Sequence, residues 1–242
     1  VLQGDLGDSI FSEMPVTKLI AQRIEPTLSL ATTSILIAIF IAVPLGVIAA
    51  WKAGTWIDYS VMIFAVFGFS IPVFVIGYLL MYGFSIQIQI FPVQGFVSIT
   101  EGVIPFLRRI TLPSIALGLI YAALIARITR ASMLEVLAQD YVRTAHAKGL
   151  SSRVVLLRHA LKNASVPIVT IIGVGISLLI GGVVVTESVF NIPGLGRLVV
   201  DAVLQRDYPV IQGIILMFSG VYLLINLIVD ISYSFLDPRI HY

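Results

Sequence analysis

Five stretches of this chain contain no aspartate, glutamate, lysine or arginine: Pro26–Trp51, Tyr59–Thr100, Ile110–Ala126, Asn163–Thr186 and Tyr208–Val229. A helix needs about 20 apolar residues to cross about 30 Å of hydrocarbon, and lipid offers an unpaired backbone no hydrogen-bond partner. Membrane β-strands would appear as segments of about ten residues alternating in polarity. These stretches are instead continuous in Leu, Ile, Val and Ala, which points to helices. Spans are predicted near 27–50, 60–84, 111–132, 165–188 and 210–234. The fold class is therefore all-α, a polytopic membrane helical bundle with five spans in this chain. Residues 1–26 form a separate N-terminal segment, and 27–242 form the membrane domain.

Composition agrees. Of the 242 residues, 58% are hydrophobic and 12% charged, against about 45–50% and about 25% in soluble domains. That balance excludes an ordinary soluble fold and a disordered chain. Cysteine is absent, which removes disulfides, thiolate metal sites and a cysteine nucleophile. A net charge of +2 gives no reason to expect a nucleic-acid partner.

Pro44, Pro72, Pro113 and Pro167 lie in or near the spans, where close packing tolerates helix breaks. Ser70-Ile71-Pro72 is expected to bend the second helix and expose polar groups. Gly173, Gly175, Gly181 and Gly182 would let the fourth helix approach a neighbour closely. Ser70, Pro72, Ser177 and Glu187 are candidates to line a pathway, with packing or capping as the plainer role for each.

The end of the third span and the loop that leads to the fourth hold Arg127, Arg130, Arg143, Lys148, Arg153, Arg158 and Lys162, seven of the fifteen lysines and arginines. Basic loops stay cytoplasmic. The loop 133–164 is therefore expected inside, with Lys52 and Arg239 on the same face. The N-terminus is then outside and the C-terminus cytoplasmic. Residues 1–26 carry acids and no apolar core, so they are not a signal peptide. An earlier segment with another span is expected to precede Val1.

The basic loop has too much pattern for a linker. Asp140 is placed to cap a helix starting at Tyr141. Tyr141, Val142, Ala145 and Ala147 give it an apolar, small-residue surface. Lys148 suits its C-terminus and Gly149 its stop. A second short helix follows, capped by Ser151 or Ser152. Such a protrusion fits either a partner's groove or an anionic lipid surface.

The stretch DYVRTAHAKGL resembles the EAA loop of permease subunits in ATP-binding-cassette importers. The matching positions are Arg143, Thr144, Ala145, Gly149 and Pro167. Arg143 replaces the family's Glu and Thr144 its first Ala, departures shared by the branch importing dipeptides, oligopeptides, nickel or glutathione. GDLGDSI (Gly4–Ile10), ESVFNIPGLGRLVVDAVLQRDYPVIQG (Glu187–Gly213) and LDPRI (Leu236–Ile240) also resemble segments of that branch. The resemblance covers nearly the whole chain. It implies a type I importer permease working by alternating access, with six or more spans in a complete subunit and the first absent here. It implies a second homologous permease subunit, two ATPase subunits and an extracytoplasmic solute-binding protein as partners within the lipid bilayer. The charged segment of Glu187, Arg197, Asp201, Arg206 and Asp207 is where that protein could dock. No cofactor is expected in this chain, with ATP and Mg on the ATPase subunits. ATPase coupling falls to Asp140, Tyr141, Val142, Arg143, Thr144, Ala145, Lys148 and Gly149. Tyr141, Val142 and Ala145 would supply packing, and Arg143 and Lys148 charged contacts.

Catalytic chemistry has little support. There is no phosphate-binding GxxxxGK[ST] loop, and Gly194-Leu195-Gly196 reads as a turn. His146, His159 and His241 are too dispersed for a metal site. Asp230, near the end of the last span, would be a poor proton relay. A secondary transporter or channel acting without an ATPase is the alternative function, and a membrane scaffold or enzyme ranks third.

Overall fold

The computed structural model describes residues 6–236, with side chains to residue 232. Gly4, Asp5, most of the LDPRI segment, Arg239 and His241 lie outside the described residues. The elements are α1 (Val16–Trp51), α2 (Trp56–Ser70), α3 (Val73–Leu80), α4 (Val103–Leu137), α5 (Asp140–Ala147), α6 (Ser152–Val154), α7 (Leu161–Asn163), α8 (Ser165–Phe190), α9 (Leu195–Gln205) and α10 (Tyr208–Leu236). Wider π-type turns extend α3 over Met81–Gln87 and join α6 to α7 over Val155–Ala160. Among the described residues the only extended pairing is an isolated bridge between Asp8 and Pro15.

Among the described residues four helices, α1, α4, α8 and α10, are long and apolar enough to cross a membrane. A fifth crossing exists only if α2 and the α3 segment count together. The second predicted span is therefore not one continuous helix. It breaks where expected, at Ile71-Pro72, because proline pushes the preceding residue out of the helical region. Ile71 is extended at φ −86°, ψ 126°, and Pro72 opens α3. The other prolines do not break their helices. Pro44 and Pro113 sit inside continuous α1 and α4, and Pro167 lies in the first turn of α8, where no intrahelical N–H bond is lost. Helix α1 also begins at Val16, earlier than the predicted 27, so Lys18, Arg23 and Glu25 are helical.

The described residues divide into two units, which are treated separately. The first lies within Val1–Ser34, Pro72–Leu117 and Ser177–Leu224. Its core joins Val16, Leu19 and Ile20 of α1 to Leu195, Leu198 and Ala202 of α9 and to Val210 and Ile214 of α10. Helix α9 thus buries one stripe, at i, i+3 and i+7, and leaves Val203 and Leu204 exposed.

The second unit lies within Ile35–Ile71, Gly118–Ile176 and Ile225–Tyr242. Val47 and Ala50 of α1 pack on Met133 and Val136 of α4, with Leu156, Ala160, Ala164 and Ile168 closing the cluster. Lipid tails are as apolar as leucine, so helix association in a membrane depends on close contact rather than on excluding water. Gly46 provides such a contact. A Cβ there would lie 2.6 Å from Thr129 Cβ and 2.8 Å from the Ala126 carbonyl oxygen. Gly173 does the same against Val229, with 2.3 Å to its Cγ2.

Candidate functional site: the basic helical segment and the buried carboxylates

Helix α5 is short, with acid in its first turn at Asp140 and His146 in its last. The structure corrects one detail. Asp140 is the first helical residue, Gln139 holds the cap position, and no side chain caps the start. Ser151 does hold the cap position of α6, likewise without a side-chain bond.

The C-terminal end of α5 is closed by its backbone. Gly149 N–H donates to the His146 carbonyl at 2.9 Å, and Leu150 N–H to that of Ala145 at 3.3 Å. This nested pair of bonds satisfies carbonyls that the helix end would otherwise leave open, and it needs a left-handed residue. Gly149 supplies it at φ +79°.

Val142 and Ala145 are buried against Val155, with Leu137 and Tyr141 packed beside them. The Tyr141 hydroxyl accepts a hydrogen bond from Asn163 at 2.7 Å. The apolar side of α5 therefore anchors the helix to its own chain. Asp140, Arg143, Thr144, His146, Ala147, Lys148 and Gly149 are exposed. Arg143 and Asp140 approach to 3.7 Å, both largely in solvent, a pair that contributes little.

The pathway candidates do not share one environment. The exposed Ser70 donates to the Val66 carbonyl at 2.8 Å, a bond local to its helix. Pro72 is exposed at the helix break, and Ser177 is half-buried in α8. Glu187 is fully buried. Thr27 of α1 donates its hydroxyl to Glu187 Oε1 at 2.5 Å. Arg197 N–H donates to Oε2 at 3.0 Å, and Gly196 N–H also donates to this carboxylate. Leu195 N–H donates to the Thr27 hydroxyl at 2.8 Å. The first three amides of α9 thus find side-chain oxygens from α8 and α1. A carboxylate at a helix N-terminus also meets the positive end of the helix dipole. The two glycines of Gly194-Leu195-Gly196 make room. A Cβ on Gly194 would lie 2.0 Å from Glu187 Oε1, and one on Gly196 2.6 Å from Val184 Cα.

Asp207 is buried as well. Ser9 donates its hydroxyl to Oδ2 at 2.5 Å and Ile10 its N–H to Oδ1 at 3.3 Å. The Phe11 and Val210 amides donate to the same carboxylate, so it caps α10 while tying down the 9–11 turn. Burial alone would raise its pKa. The Ser9, Ile10, Val210 and Phe11 donors outweigh burial and hold it below the ordinary value. Two of the five charges in the expected docking segment are therefore interior caps. Arg206 remains exposed, and Arg197 and Asp201 form a partly exposed pair at 3.9 Å.

Sequence reasoning missed one ion pair. Asp58 of α2 is almost fully buried, and Arg130 of α4 holds both its oxygens through Nε and, at 2.7 Å, through Nη2. Gly54 N–H adds a bond of 3.0 Å to the same carboxylate. An acid beside the Lys52 turn and an arginine one turn inside a span were the available signals. No candidate metal cluster occurs among the described residues.

Comparison with known proteins places this arrangement. Residues 42–242 match the family model described as binding-protein-dependent transport system inner membrane component. The chain is 52% identical over 242 residues to a Sinorhizobium fredii protein described as "Probable peptide ABC transporter permease protein y4tP", covering all of this chain and 77% of that one. It is 46% identical over 241 residues to the glutathione transport system permease protein GsiC of Escherichia coli, covering all of this chain and 76% of that protein. Among solved structures, an inward-facing MetNI methionine ABC transporter chain matches with a TM-score of 0.74 at 16% identity, covering 91% of this chain and 97% of that one. An amino acid ABC transporter chain matches with a TM-score of 0.60 at 17% identity, covering 93% and 95%. At those identities the structures speak for the fold, while the sequence relatives speak for the family. With its apolar helices and its family match, this chain is a multi-pass inner-membrane permease component of the binding-protein-dependent ABC importers.

Proposed function

We propose that this permease carries peptides or a related small solute, glutathione or a nickel complex among them, by alternating access. It would act with a second homologous permease subunit, two ATPase subunits that hold ATP and Mg, and an extracytoplasmic solute-binding protein. Segment 1–26 would face outward and the C-terminus the cytoplasm, as the basic loop demands. The cargo class rests on the names of the two relatives, one a peptide and one a glutathione permease.

The observation that carries the coupling role is the division of α5 into two sides. Val142 and Ala145 lock the helix to its own unit, while Arg143, Thr144, Lys148 and Gly149 remain exposed. A helix held so firmly can transmit displacement to packed neighbours, because a close-packed unit moves as a body. Asp140 and Arg143 would meet the ATPase surface, with Tyr141, Val142 and Ala145 as the internal footing. Ser70, Pro72 and Ser177 stay in the proposal as residues near the pathway, and Glu187 as a positioning residue beside it.

Reconstitution tests the reading. Uptake of labelled dipeptide or glutathione into proteoliposomes should require the ATPase pair, ATP and the binding protein. Uptake by this subunit alone, or uptake that collapses with the membrane potential while ATP is present, would make it a secondary transporter or channel.

A further inference from the structure

A cleft of about 560 Å³ opens in the first unit between the segment after α3 and the start of α4. Phe91, Pro92, Val93 and Ile104 contribute apolar wall, and Arg108 and Arg109 stand in its lining. Among the described residues no aspartate or glutamate lines it. Neither arginine has an ion-pair partner among the described residues. The Arg109 guanidinium is fixed by donating to the Gln94 carbonyl at 2.9 Å. Gly95 sits in the left-handed region at φ +97° and lets the guanidinium approach, a Cβ there lying 2.6 Å from Arg109 Nη1. Gly95 in turn donates its N–H to the Phe190 carbonyl at 2.9 Å, which holds this wall against α8. Arg108 beside it is exposed.

We infer that this cleft binds an anionic phospholipid, its phosphodiester on Arg108 and Arg109 and an acyl chain along the apolar wall. Three observations converge. Two arginines without a counter-charge line one cleft, and a guanidinium pairs well with phosphate oxygens. The wall is mostly apolar, which suits an acyl chain better than a hydrated ion. The surrounding surface is also apolar, with Ile99, Val103 and Leu107 more than 45% exposed. Charge complementarity selects an anionic headgroup over a zwitterionic one.

The test uses the whole transporter, purified and placed in nanodiscs of equal phosphatidylglycerol and phosphatidylcholine. Retained lipid is counted by native mass spectrometry. The native complex should retain phosphatidylglycerol in preference. R108Q/R109Q should lose about tenfold of that preference, the scale of one charge-assisted bond, while R108K/R109K keeps part of it. Assembly with the ATPase subunits serves as the folding control. Equal retention of the two lipids by the native complex, or undiminished preference in R108Q/R109Q, would overturn the inference. So would displacement by millimolar inorganic phosphate, which marks a free-anion site, or by added dipeptide, which marks a cargo site. The readout is lipid bound rather than solute moved, so it can fail while the transport proposal stands.

Discussion

Glu187 of α8 accepts the amide of Arg197 at 3.0 Å and so caps a helix that begins eight residues after it. The carboxylate sets how the chain leaves one span and turns into α9. Thr27, 160 residues away in sequence, shares the task by donating to Glu187 and accepting from Leu195.

E187A should leave the Gly196 and Arg197 amides unpaired in a buried place, which costs about 1–3 kcal/mol. E187Q should recover part of that loss, since its one carbonyl oxygen can still accept. Thermal melting of the purified complex would register the order native, E187Q, E187A. Equal melting temperatures would mean that water replaces the carboxylate without cost.

G46A should overpack α1 against α4, because the new methyl meets backbone as well as Thr129. Such overpacking costs about 1–3 kcal/mol. Gly220 has open space around it, so G220A should express and assemble as the native chain does. Yield of assembled complex in size-exclusion chromatography separates the two.

D58N leaves the Arg130 guanidinium facing a neutral group. Breaking one side of a buried pair costs about 3–5 kcal/mol, and partial exposure of Arg130 places this case at or below the lower end. D58L/R130M removes both charges and should be more stable than D58N. Denaturation in detergent checks the order, and a double variant weaker than the single one would refute it.

Asp207 titrates below the ordinary aspartate value of 3.8 when folded. A depressed carboxylate contributes stability that is fully present above the unfolded pKa and lost as pH falls through the folded one. Between pH 7 and about 5 the difference in stability between native and D207N should therefore be constant. It should shrink only below about pH 4. Hydrogen exchange of residues 9–14 across that range measures it. A difference that already disappears by pH 6 would show that Asp207 is not held in its charged form.

G149V places a branched side chain at φ +79°, a conformation that costs L-residues about 1–2 kcal/mol. The α5 end should unwind and its presentation change. Uptake should fall while assembly persists. Normal uptake with normal assembly would remove the coupling role from this turn.

Local rules made much of this protein readable from its sequence. Four of the predicted spans are single long helices, because hydropathy over about 20 residues is a property of consecutive residues. The helix, glycine and helix of the basic segment follow from local backbone preferences, with Gly149 left-handed as its position suggests. The break at Pro72 was legible for the same reason.

What remained was decided by contacts between distant residues. Pro44 and Pro113 have the same local chemistry as Pro72, yet they sit inside unbroken helices. The apolar side of α5 could have faced a partner until Val155 was seen to cover it. Asp58 and Arg130 meet across 72 residues, and Ser9 and Asp207 across 198. A carboxylate's role follows from which donors surround it, and folding alone brings those donors together. The sequence by itself determined a membrane-spanning helical permease and where its basic helix-turn-helix segment lies. Only the tertiary structure decided which charges are interior caps and which remain free to meet a partner.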